Sequence, residues 1–282
     1  MLGKALQLAA GGNSVANDVA WPDISTASFV RFDTVVAAQD VRGVFFKPDG
    51  TKIYTCENGD WIRQATLSTA WNISTHGTAD YSMQTSQTHN PNPAGLFIGN
   101  DGTELYVSEI SSGDYVVQYT MSTAWDLSTA SYTRKFDVSA QEGNPRGVSF
   151  SKNGTLMFIN GGSFPSQYKI NKYTLSTAWD ISTATHSQAS SSHSSLTTDA
   201  TGMFIKPDGT RFYLVDPVND KIHQWNMTTA YDVTSDIGAT ADDDFYTGGQ
   251  ETVPWSMYIS PDGNHLYVGG GSGNGVDQYS LG

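Results

Sequence analysis

Five aromatic residues, Trp21, Trp71, Trp125, Trp179 and Tyr231, stand in copies of one short motif spread along a chain of 282 residues. The copies run Ser68-Thr69-Ala70-Trp71-Asn72-Ile73-Ser74-Thr75, Ser122 to Thr129, Ser176 to Thr183, the looser Thr228 to Thr234, and Trp21-Pro22-Asp23-Ile24-Ser25-Thr26 displaced to the front. Rings repeated in this way could stack on sugar rings at several equivalent sites, turning weak contacts into avidity. They could equally cover the floor of a sheet while the neighbouring Asp/Asn and Ser/Thr close a turn. The small Ala before each ring suits that second role. A separate set, Arg42, Glu142, Arg146, Glu251 and Trp255, mixes charge with an aromatic on loops that differ between repeats and could hold a ligand.

Catalytic signatures are missing from the sequence. It has no His-Glu-x-x-His, no phosphate-cradling G-x-x-x-x-G-K-[ST] and no G-x-S-x-G elbow. The six histidines (His76, His89, His186, His193, His223, His265) lack zinc-ligand spacing. Asp242-Asp243-Asp244 lacks the alternating pattern of a calcium loop and reads as solvated rim. A sialidase-like site would need three clustered arginines and a Tyr/Glu pair, but of six arginines only Arg42 and Arg146 occupy equivalent positions. A lactonase-like site would need a metal shell that the chain does not offer. The expectation is a binding protein with no catalysis, metal or cofactor.

Composition narrows the partners. Lys+Arg number 15 against 28 Asp+Glu, a net charge of -13 that repels nucleic acid. Charged residues at 15% and aromatics at 12% argue for a packed core rather than disorder. No apolar run approaches the ~18 residues of a membrane span, so no membrane insertion is expected. The one cysteine, Cys56, rules out an intrachain disulfide and reads as core filler. At the front, Gln7 interrupts the apolar stretch, so Met1 to Ala10 reads as mature chain rather than signal peptide. Leu2, Ala5, Leu6 and Ala9 fall at i, i+3, i+4 and i+7, followed by the joint Gly11-Gly12-Asn13-Ser14. Residues 1–19 are therefore expected to be a docking or flexible segment ahead of one domain, 20–282.

That domain is a repeat. The turn Pro48-Asp49-Gly50-Thr51 recurs around Asp101, Asn153, Asp208 and Asp262, at intervals of 52 to 55 residues. Each unit predicts four strands. An apolar first strand such as Gly43 to Phe46 suits burial on both faces, whereas the last, such as Tyr81 to Thr85, is polar and variable. Such a gradient fits a blade running from hub to rim, and five units make an all-β, five-bladed β-propeller. The chain ends after a third strand, Gly275 to Leu281, while Trp21 to Thr26 and Phe29 to Val35 supply the missing motif and fourth strand from the front. Pairing the first strand with the last closes the ring and removes free sheet edges. Loops between second and third strands share a face with the segments leading into the first strands. They differ in length and composition, as a repeat scaffold requires for one asymmetric site.

The unit Phe204-Ile205-Lys206-Pro207-Asp208-Gly209-Thr210-Arg211-Phe212-Tyr213 resembles the repeat of propellers related to the YVTN and lactonase-like families. Joined to Leu175-Ser176-Thr177-Ala178-Trp179-Asp180-Ile181-Ser182-Thr183-Ala184, it is similar to repeats of tail or virion proteins of marine bacteriophages and of some marine bacterial surface proteins. The lead Leu2-Gly3-Lys4-Ala5-Leu6-Gln7 also resembles starts of such phage proteins. The resemblance implies a phage particle protein near the tail that attaches to a host-surface glycan or receptor and contacts other virion proteins through the N-terminal segment. A bacterial surface or secreted lectin, extracellular or at the cell surface, is the alternative, as is a purely architectural virion protein.

Overall fold

A computed structural model describes residues 21–35, 39–85, 92–110, 113–162 and 168–282. The segment 1–19, expected above to dock or flex, lies outside the described residues. The first strand of the described residues is β1 (Ser28–Asp33). Blade I follows as β2 (Val41–Phe46), β3 (Lys52–Glu57), β4 (Trp61–Thr66) and β5 (Tyr81–Gln84). Blade II holds β6 (Pro93–Gly99), β7 (Glu104–Glu109), β8 (Tyr115–Met121) and β9 (Ala130–Asp137). Blade III holds β10 (Pro145–Phe150), β11 (Leu156–Gly161), β12 (Ile170–Leu175) and β13 (Ala184–Ala189). Blade IV holds β14 (Met203–Ile205), β15 (Arg211–Asp216), β16 (Lys221–Asn226) and β17 (Asp243–Tyr246). The last blade, V, has β18 (Pro254–Ile259), β19 (His265–Gly270) and β20 (Val276–Ser280). Its outer strand is β1, so the described residues form five four-stranded antiparallel sheets, a five-bladed propeller.

The closure has the expected partners. β1 pairs β20 from Ser28↔Ser280 to Asp33↔Val276, with a bulge between Phe29 and Arg31. Arg31 then reaches past its own blade and donates to Asn72 and, at 2.9 Å, to Ser74 Oγ of blade I.

The two repeated motifs form one local device. Trp71, Trp125, Trp179 and Tyr231 all take left-handed backbone conformations, with φ from 62° to 67°. An L-residue there is strained by about 1–2 kcal/mol, so something must hold it. The motif N–H donates to the carbonyl of the turn glycine, as from Trp179 to Gly154 at 3.0 Å. The indole lies flat on that glycine: a Cβ at Gly154 would stand 2.2 Å from Trp179 Cδ2. The turn must therefore carry Gly for space as well as for its φ of 71°.

Neighbouring blades clasp this device. Tyr54, Tyr106 and Tyr267 donate to the carbonyls of Trp125, Trp179 and Trp71 at 2.7, 2.6 and 2.6 Å. Their cross-strand partners Gln64, Gln118 and Gln278 accept from the N–H groups of Leu127, Ile181 and Ile73, and Gln224 accepts from Ile24 in the same way. Blade III substitutes Phe158 and Lys172, and Lys172 Nζ donates to the Tyr231 carbonyl at 3.1 Å. Each blade thus satisfies buried polar groups of the next one.

Candidate functional site

The first strands surround the axis, which has two mouths of different make-up. One mouth lies among the Pro-Asp-Gly turns. The rings of Phe45, Phe97, Phe204 and Tyr258 reach it from aligned positions of four blades, while blade III has Ser149 there. Phe45 lies 5.3 Å from Phe97 and 5.2 Å from Tyr258, and Tyr258 lies 5.6 Å from Phe204. Ser149 breaks the circle, and Phe150 leans in 5.3 Å from Phe97. The result is a well of about 280 Å³ whose walls include Trp125 and Trp179. Asn100, Asp101 and Lys152 supply its polar groups beside Pro48, Pro207 and Pro261. Lys47 and Lys206 are ion-paired to Asp49 and Asp208 at 2.6 and 2.5 Å, whereas Lys152 has no carboxylate partner among the described residues.

The aromatic motif residues sit on this turn face. Trp125 and Trp179 line the well, while Trp21, Trp71 and Tyr231 do not. Trp21 is buried against Gly263 and stacks 6.0 Å from Phe204, and the other motif rings are half-buried on their turn glycines. Every ring is engaged in packing, which leaves partial edges rather than open platforms.

The other mouth opens among the loops. Aligned positions at its rim carry Arg42, Ala94, Arg146, Thr201 and Trp255, five positions with four residue types. Together with Ile110 they line a cavity of about 50 Å³. Arg42 donates to Asn92. Arg146 pairs with Asp199 at 3.1 Å, and its guanidinium lies 5.3 Å from the centre of the Trp255 ring. Burial holds the Arg42 guanidinium below its ordinary value; Cys56 and Asp40 oppose that shift and Arg146 adds to it.

Glu142 and Glu251 do not line this cavity. Both are buried. Glu142 accepts from the Asn144 N–H at 3.0 Å, and Glu251 from Val253 and Ser272 at 2.7 and 3.0 Å. Each lies against a glycine at the end of its second strand, Gly161 or Gly270. In the other three blades that strand-end residue is itself a buried acid: Glu57, Glu109 or Asp216. Every blade therefore hides at least one carboxylate near the end of its second strand, and blade V adds Asp277. Glu57 pairs with Arg63 at 2.7 Å, and Asp216 accepts from Thr197 at 2.7 Å and meets His223 at 3.2 Å. Among the described residues neither oxygen of Glu109 has a hydrogen-bond partner, and burial pushes it up to about 7. Asp277 is also pushed up to about 7, by burial and then by Glu251.

The acidic run is divided among separate bonds. Asp242 accepts from the Asn226 N–H at 2.7 Å, Asp243 from Ser25 at 3.1 Å, and Asp244 meets Lys221 at 3.1 Å and His223 at 2.5 Å. Among the described residues no three potential metal ligands converge.

Of the five charged and aromatic candidates, the structure thus gathers Arg42, Arg146 and Trp255 and separates Glu142 and Glu251. Sequence reasoning missed the well. Its signal was available in the residue two places after the hub Gly or Ser, which is aromatic in every unit except that of Ser149.

No protein-family model matches the chain, and no curated protein matches it. Among solved structures it is similar to a functionally unknown protein from Desulfotomaculum acetoxidans DSM 771, at 13% identity and a TM-score of 0.48. That match covers 82% of this chain and 62% of the other, so this chain spans less than two thirds of its neighbour.

Proposed function

We propose that the protein is a non-enzymatic attachment module that holds a host-surface glycan at the loop-face mouth, and that it serves on a bacteriophage particle near the tail. The observation that carries the reading is the difference between the two faces. The turn face repeats one device in four blades and packs Trp21 on the turn glycine of the fifth, whereas the loop face places unlike residues at equivalent positions and gathers Arg42, Arg146 and Trp255 around one cavity. Trp21 packs on the turn face, and in this reading residues 1–19 dock to another virion protein while the loops stay outward. The virion setting rests on the resemblance of the repeats.

The well favours a second reading. Its size approaches the ~300 Å³ lower range of small-molecule pockets, and aromatic walls with a few polar groups suit a sugar ring. One glycan-array experiment separates the two. Saturable binding that Arg42→Gln abolishes and Lys152→Ala leaves intact is the expected result. Loss in Lys152→Ala alone moves the site to the well. Array silence, together with turnover of a sugar or lactone substrate, overturns the attachment reading. Tail and capsid genes beside this gene would support the virion setting, and secretion or surface genes the bacterial lectin.

A further inference from the structure

We propose that the loop-face mouth is built for an oxyanion, so that the glycan held there is acidic, carrying a carboxylate or a sulfate ester. This rests on the attachment reading and names the chemistry of its ligand. Arg42 and Arg146 come from blades I and III and line the same small cavity, and among the described residues no acidic one lines it with them. Asp199 pairs with Arg146 and the Asp40 and Asp60 charges act on Arg42, yet the two guanidinium groups still repel each other across the cavity, and an anion between them relieves that cost.

The donors are under-used. A guanidinium has five N–H donors. Among the described residues, Arg42 spends its side chain on the neutral Asn92 and Arg146 on Asp199. Arg146 Nε and Trp255 Nε1 are both buried without a hydrogen-bond partner among the described residues. Trp255 also lies beneath the Arg146 guanidinium, which fixes the plane of that fork. The placement runs against composition, because two of six arginines in a chain of net charge -13 meet at one end of the axis. Oriented, desolvated N–H groups of this kind favour carboxylate and sulfate oxygens over a spherical halide.

The test uses the full chain with isotopically labelled arginine, observing the side-chain Nε–H signals during titration with sodium acetate, sodium sulfate and sodium chloride at constant ionic strength. Saturable shifts of Arg42 and Arg146 with acetate or sulfate, but not chloride, are expected, and whichever salt acts identifies the group. Arg42→Lys keeps the charge but loses the fork, and should weaken the response at least tenfold. Arg134→Gln, on the rim strand β9, should not change it. A thermal melt of each variant confirms folding. No saturable shift in a folded protein overturns the inference. On a glycan array, binding of neutral sugars only also overturns it while leaving the attachment reading standing. Binding of no glycan removes the attachment reading, and the titration then decides the oxyanion site alone.

Discussion

The carboxylate of Glu251 occupies the space where a side chain on Gly270 would begin: a Cβ there would lie 2.2 Å from Glu251 Cδ. Gly270 closes β19 just as Glu57 closes β3 and Glu109 closes β7. The acid is thus supplied either by the strand end or by the segment leading into the blade, and the two sources exclude each other sterically. Gly270→Ala should cost about 1–3 kcal/mol in urea unfolding, the usual range for overpacking. In a Glu251→Ala background the same change should cost little. Strict additivity of the two would mean that the carboxylate is not what Gly270 makes room for.

The carbonyl of Trp179 accepts from Tyr106 at 2.6 Å and from Gln118 at 3.0 Å. Tyr106→Phe removes one donor and should cost about 0.5–1.5 kcal/mol, because the carbonyl keeps the other. Adding Gln118→Leu strips both and should cost more than the two single changes together. Equilibrium unfolding of the three variants provides the comparison.

Glu109 and Asp277 set a pH dependence. Each has a folded value of about 7, well above its ordinary 4.5 or 3.8. The folded chain therefore binds these protons more tightly than the unfolded chain. The stability they contribute is complete below the ordinary carboxylate range and declines as pH rises through about 7. Lys135 opposes the shift of Glu109 and Asp60 adds to it. Glu109→Gln and Asp277→Asn should match the wild type near pH 4 and exceed it at pH 8 by about 1–3 kcal/mol each. Variants that follow the wild type at both pH values would show that the groups ionise freely in the fold.

Strand β1 completes blade V from the far end of the chain. A chain lacking residues 21–35 should expose the β20 edge, lose its cooperative melt and self-associate. Removing residues 1–16 should leave the melting temperature unchanged. A monomeric product with wild-type melting after loss of 21–35 would show that closure is dispensable.

Much of this architecture is legible in the sequence because each repeat carries its own local instructions. Pro-Asp-Gly marks the turn between first and second strands, and the displaced Trp21 motif shows where the ring closes. The motif rings also admitted the packing role that the turn glycines now give them. What escaped depends on contacts between repeats. Phe45 and Phe97 read as strand residues buried on both faces, because a column of aromatics reveals an axial well only once the blades are arranged in a circle. Glu142 and Glu251 read as loop charges available to a ligand. Their N–H partners Asn144 and Val253 lie two residues on, but the room for each carboxylate is made by the distant strand-end Gly161 or Gly270, a relation that no local pattern encodes.

The β1–β20 pairing has a mechanical consequence. Ser28, where the chain runs into the propeller, is paired with Ser280, where it runs out, and the Gly282 N–H donates to Thr26 at 3.3 Å. Both leads therefore leave from the same end of an antiparallel pair. Tension applied through them peels the ladder open one rung at a time, beginning at Ser28, instead of shearing all its rungs together. Force transmitted through either lead alone bypasses that seam. The propeller is thus suited to hang from one lead and is weakest as a link pulled between two.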